Sequence, residues 1–130
     1  MGRLVATGAV ALVAGVAGAS AAAPPQLVGT WKRTVTAADV KRAHSTGIPS
    51  DSAWTLIVRK SGVAFVGGNV GQFNGKIVPA GANRVHVNLG TPCPNVYAWR
   101  VAGRTLTFTK EKDCEPDRVA AFNGTWKRSG

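Results

Sequence analysis

Gly29-Thr30-Trp31-Lys32-Arg33 and Gly124-Thr125-Trp126-Lys127-Arg128 are the same pentapeptide, written twice, 95 positions apart. A single recurrence at that distance is not the period of a repeat array. Two like strands near the two ends of a chain suit a sheet whose first and last members pair. Such a sheet has no free edges. The pentapeptide therefore predicts a closed barrel, with Trp31 and Trp126 pointing inward as structural anchors. Gly29 and Gly124, which open the two copies, are structural positions. By the same parity Arg33 and Arg128 face inward or lie at the rim.

The segments between the two copies fit that frame. Alternating apolar residues predict strands over Leu27–Val35, Ala53–Lys60, Val63–Val66, Val70–Val78, Asn83–Leu89, Asn95–Val101, Arg104–Lys110 and Arg118–Arg128. Ser61-Gly62 reads as a two-residue hairpin turn, which sends Phe65 to the core. Thr36-Ala37-Ala38-Asp39 reads as a capping box that opens a short helix ending near Thr46-Gly47. The expected fold is all-β: an eight-stranded antiparallel up-and-down β-barrel with one short helix between strands 1 and 2. A two-sheet sandwich is the rival. Eight strands leave an interior that side chains fill or that holds one small ligand.

The first 23 residues read differently. Arg3 is followed by an uncharged run rich in Ala, Val and Gly, then by Ala19-Ser20-Ala21 and Ala21-Ala22-Ala23, both small-x-small cleavage signals. Residues 1–23 are expected to be a signal peptide and residues 24–130 the barrel domain, secreted or associated with the cell envelope, with no transmembrane anchor. Taking Arg3 from the 16 basic residues leaves 15 against 6 acids, a net charge of +9. That balance favours anionic surfaces and polymers. Specific nucleic-acid motifs are missing from the sequence. Cys93 and Cys114, the only cysteines, are expected to form a disulfide in an oxidising compartment.

The Gly29-Thr30-Trp31 opening resembles the Gly-x-Trp of lipocalins, and the eight short strands with one disulfide suit the wider calycin group. With the Thr36-x-x-Asp39 helix and the closing Trp126-Lys127-Arg128, residues 27–128 resemble small secreted lipocalin-like domains of actinobacteria. The resemblance implies that Trp31 packs across the barrel base against a late arginine, Arg128 or Arg118. The chain departs from typical lipocalins in being shorter and in lacking their long helix after the last strand. Its early helix is closer to fatty-acid-binding proteins, whose lid has two helices. These departures argue against a large internal cavity.

Two functions compete. In the first, the protein is a monomeric carrier or sensor of a small apolar or amphipathic molecule, neutral or anionic. Trp54, Phe73, Trp99 and Phe108 would line the pocket, Gly71 and Gly75 would leave it room, and Arg33 and Arg128 would meet an anionic group. With no acid expected nearby, those arginines otherwise reach solvent. In the second, it is a cationic surface- or protein-interaction module, such as an inhibitor, with a solid core. An enzyme is not expected, because His44 and His86 have no nucleophile to serve and no phosphate loop, Gly-x-Ser-x-Gly or His-Glu-x-x-His occurs. No cofactor and no metal are expected. Asp113, Glu115 and Asp117 are expected to pair with neighbouring basic residues rather than hold calcium.

Overall fold

A computed structural model describes residues 22–68 and 71–130. The eight strands are β1 (Gly29–Val35), β2 (Ser52–Val58), β3 (Val63–Gly68), β4 (Gly71–Pro79), β5 (Arg84–Leu89), β6 (Val96–Ala102), β7 (Thr105–Lys112) and β8 (Gly124–Arg128). They form one closed antiparallel barrel in which β8 lies between β7 and β1. The pentapeptides meet at the seam: Lys127 lies opposite Lys32 and Arg128 opposite Trp31. A 3-10 turn, Pro25–Leu27, precedes β1, helix α1 (Ala37–Ala43) follows it, and helix α2 (Pro116–Phe122) precedes β8. The expected leader lies outside the described residues except for its last two positions. Of these, Ala23 is buried against the barrel and donates its amide to the Lys60 carbonyl at 3.2 Å.

Helix α1 is capped as its sequence requires. The Thr36 hydroxyl accepts from the Asp39 amide at 3.2 Å, and the Asp39 carboxylate accepts from the Thr36 amide at 2.9 Å. Val40 and Ala43 pack onto the core, and α1 lies on α2.

Two expectations fail here. The last strand was expected to begin at Arg118, but residues 116–122 are helical and the strand is only Gly124–Arg128. Pro116 occupies the first turn and Glu115 caps it, accepting from the Asp117 amide at 3.2 Å. Phe122 reaches the core from this helix rather than from a strand. Phe65, expected in the core, lies on the outer wall; Ala64 and Val66 face in. The cause is loop length. Arg59 donates its amide to Val63 at 2.9 Å, so the loop is Lys60-Ser61-Gly62, three residues rather than two. One residue of slip moves every side chain to the other face. The Phe65 ring then covers Gly67, where a Cβ would come within 2.9 Å of it.

The barrel interior is occupied by its own side chains. Trp31, Trp54, Trp126, Tyr97, Phe108 and Phe122 are almost fully buried together. Tyr97, Phe108, Phe122 and Trp126 form a chain of tilted and edge-to-face rings 5.8–6.4 Å apart.

Candidate functional site

The seam is built twice from the same parts. The Trp31 indole donates to the Leu27 carbonyl at 3.0 Å; the Trp126 indole donates to the Phe122 carbonyl at 3.1 Å. Leu27 and Phe122, equivalent positions four residues before each Trp, are both fully buried. The arginines cross over. The Arg128 guanidinium lies 4.1 Å above the Trp31 ring and the Arg33 guanidinium 5.6 Å from the Trp126 ring. Arg128 donates to the carbonyls of Val28 and Gln26 at 3.2 and 3.3 Å. Arg33 donates to those of Asn123 and Ala121 at 2.9 and 3.1 Å. These acceptors are again 95 positions apart, so a local two-fold passes between Lys32 and Lys127.

The glycines complete the motif. A Cβ on Gly29 would stand 2.5 Å from an Arg128 nitrogen, and one on Gly124 would stand 2.9 Å from an Arg33 nitrogen. Their φ values, +140° and +145°, also favour glycine.

This geometry corrects the expectation that Arg33 lacks an acid. Asp39, from the first turn of α1, meets it at 2.9 Å, and the Arg33 side chain is only 4% exposed. Burial pulls the Arg33 guanidinium below its ordinary value, against the opposing pull of Asp39. Burial pushes the Asp39 carboxyl up, but hydrogen bonds from Thr36 and Arg42 and the charge of Arg33 outweigh it, so it lies below its ordinary value. Most of the hydrogen-bonding capacity of Arg33 is therefore used within the chain. Only its Nε, buried, has no partner among the described residues.

The other residues expected to line a pocket are Trp54, Phe73, Trp99 and Phe108. Trp54 and Phe73 stack at 6.1 Å with their planes 6° apart, and the Trp54 indole donates to Ser52 at 2.9 Å. Phe108 lies at the other aromatic cluster, against Tyr97 and Phe122. Trp99 is half-buried, and its indole nitrogen has no partner among the described residues. The four do not surround a common void. Gly75 does not leave room either: a Cβ there would collide with the Asn88 carbonyl, so this glycine serves close approach of β4 to β5. Gly71 is exposed. The depressions found, of about 220–470 Å³, are open to solvent.

The Cys93–Cys114 disulfide forms as expected. Beside it lies a cluster that pattern reading missed. The Arg118 side chain is 2% exposed and the Asp113 carboxylate is fully covered. Arg118 grips the Asp113 carboxylate with two nitrogens at 2.7 and 2.9 Å. Its remaining donors reach the carbonyls of Leu89, Thr91 and Cys93 at 3.0, 2.7 and 3.0 Å. All five N–H groups are thereby used. The Tyr97 hydroxyl donates to the same carboxylate at 2.6 Å. Burial first, then that bond to Asp113, pushes the Tyr97 phenol far above its ordinary value. Burial pulls the Arg118 guanidinium down, but Asp113 outweighs it and the net shift is upward. Asn95, buried alongside, exchanges hydrogen bonds with the Val87 backbone at 2.7 and 2.8 Å. His86 is half-buried, and its Nδ1 lies 2.7 Å from the Asn95 carbonyl. Asp117 holds Ser45 and Gly47 at 2.7 and 3.1 Å, and so ties the loop after α1 to α2. This constellation is structural: each polar group has an internal partner.

Charge is segregated along the sequence. Ser52 to Lys110, which covers β2 to β6 and most of β7, contains seven Lys and Arg and no acid. The six acids are confined to residues 39–51 and 111–117. Among these, Asp39 pairs with Arg33 and Arg42, Glu111 with Arg84, and Asp113 with Arg118.

No family model, curated protein or solved structure matches the chain. The class the geometry defines is a closed eight-stranded antiparallel barrel with a side-chain-filled interior and a basic outer wall.

Proposed function

We propose that the chain is a secreted, non-enzymatic, lipocalin-like module that works through its outer surface and binds an anionic polymer or cell-envelope surface. The observation that carries this reading is the acid-free stretch from Ser52 to Lys110, wrapped around a barrel whose interior is filled. Unbalanced positive charge on a rigid wall creates a field that attracts polyanions and weakens with salt.

The carrier reading draws less support. Arg33 and Arg128, assigned there to a ligand anion, are engaged by carbonyls, indoles and, for Arg33, Asp39. A guest would have to part Trp54 from Phe73 or displace Phe108 from its ring cluster. The indole nitrogen of the half-buried Trp99 and the buried Arg33 Nε, neither with a partner among the described residues, are the features that favour a guest.

The test is retention of the full mature chain on immobilised dextran sulfate and on neutral dextran. Retention on the first alone, lost as salt approaches 1 M, supports the proposal. Passage through both at low salt, together with tryptophan quenching by an apolar or amphipathic molecule, would establish the carrier instead.

A further inference from the structure

We infer that the outer face of the barrel seam, centred on Lys32 and Lys127, is a binding site for a glycan bearing phosphate or sulfate groups. This rests on reading the protein as a cationic binding module and gives that module its site. Register places the residues. Lys127 on β8 lies opposite Lys32 on β1; Thr105 on β7 lies opposite Lys127, and Thr55 on β2 lies opposite Lys32. The row Thr105–Lys127–Lys32–Thr55 therefore crosses four adjacent strands, about 14 Å at ordinary strand spacing.

Like charges directly opposite one another oppose strand pairing. Here the opposed lysines sit on the pair of strands that closes the barrel, and both are exposed. No acid relieves them. Lys127 Nζ makes a single long contact, 3.4 Å to the Thr105 hydroxyl, and Lys32 makes no side-chain hydrogen bond among the described residues. The nearest acid in sequence, Asp39, is committed to Arg33 and Arg42. The pair is thus an unneutralised double charge held on rigid strands. An anionic group between them would turn their repulsion into two charge-assisted bonds.

The surroundings select the class of anion carrier. The face also presents Thr34, Thr107 and Thr125, with Arg100 opposite Thr107 and Thr107 opposite Thr125. Threonine hydroxyls both donate and accept, which suits the hydroxyls of a sugar. An open depression of about 420 Å³ lies over β1 and β2 beside the seam, lined by Lys32, Arg33, Thr34, Ala53, Trp54 and Thr55 and reaching Lys127. The outward positions of these rows carry no aromatic ring for stacking bases, and Trp54, which lines the depression, is only 2% exposed, whereas single-strand nucleic-acid binding needs open rings. The single large apolar residue exposed among those described is Val63, on β3, so the seam offers nothing to insert into a bilayer.

The test compares the full mature chain with K32Q/K127Q and with K41Q/K112Q, a control that removes the same charge at the acid-bearing end. The probe is dextran sulfate, with phosphatidylglycerol vesicles and a single-stranded oligonucleotide alongside. The seam variant is expected to lose at least tenfold in affinity for dextran sulfate, with a shallower salt dependence, and the control less than about threefold. The melting temperature of the seam variant should be unchanged or raised, because a repulsion has gone. Equal losses in the two variants would overturn the seam site while leaving the cationic reading intact. Failure of the parent chain to bind dextran sulfate at low salt would overturn both. Tighter binding to the vesicles or the oligonucleotide than to dextran sulfate would overturn the assignment to a glycan.

Discussion

At the residue scale, the seam depends on a missing atom. Gly29 and Gly124 lie directly beneath the guanidiniums of Arg128 and Arg33, in backbone conformations that a side chain resists. A methyl group at either glycine must push a guanidinium off its indole and away from its carbonyl acceptors. Gly29→Ala and Gly124→Ala are therefore each expected to lower stability by about 1–3 kcal/mol, read by urea denaturation. Because the two sites are equivalent, the losses should be similar; a neutral substitution at either would break the two-fold account.

Tyr97 allows a second residue-scale prediction, since it is the only tyrosine. Its phenol pKa is raised in the folded state, by burial and by its bond to Asp113. A group with a raised folded value contributes its full share to stability below the unfolded value, near 10, and loses it as pH rises further. Ultraviolet titration of the native protein should show no phenolate through about pH 10.5, and any later step should coincide with unfolding. A reversible native step near pH 10 would mean that the hydroxyl is free.

At the scale of elements, the sequence reads well wherever a single period or cap decides. The parity of Trp31, Trp54, Phe108 and Trp126 is correct because each strand has one wet face. Helix α1 is legible from Thr36 and Asp39 alone. Helix α2 is not, because Ala120, Phe122, Gly124 and Trp126 happen to alternate and carry a strand period across the helix end. The better signal was Pro116, set between Glu115 and Asp117 as at a helix start. Phe65 was misplaced by a single loop residue. The Arg118 cluster is not written in any local pattern, because its acceptors are backbone carbonyls brought in from Leu89, Thr91 and Cys93.

That cluster and the disulfide hold the same two segments, the loop after β5 and the connection from β7 to α2. Removing one should leave the other in place. Cys93→Ser with Cys114→Ser should lower stability by about 2–4 kcal/mol without loss of the fold. Arg118→Met strands a buried carboxylate and should cost about 3–5 kcal/mol. Denaturation midpoints check both; a loss below about 1 kcal/mol for Arg118→Met would show that the ion pair does not hold these segments.

At the scale of the whole molecule, the barrel is a rigid body with its polar machinery turned inward for support and its positive charge turned outward. The two near-terminal pentapeptides close the tube, and their arginines are used in closing it. The uncompensated charge lies on the opposite parity, on Lys32 and Lys127. One pentapeptide therefore supplies both the inward clasp and the outward cation, and its recurrence sets two such cations face to face.

The most direct measurement is an amide and indole chemical-shift titration of the full mature chain with a short sulfated dextran oligomer. The account predicts shifts concentrated at Lys32, Thr34, Thr55, Thr105 and Lys127, with the indole signals of Trp31 and Trp126 unmoved. Shifts concentrated on the inward indoles, with the seam silent, would contradict it.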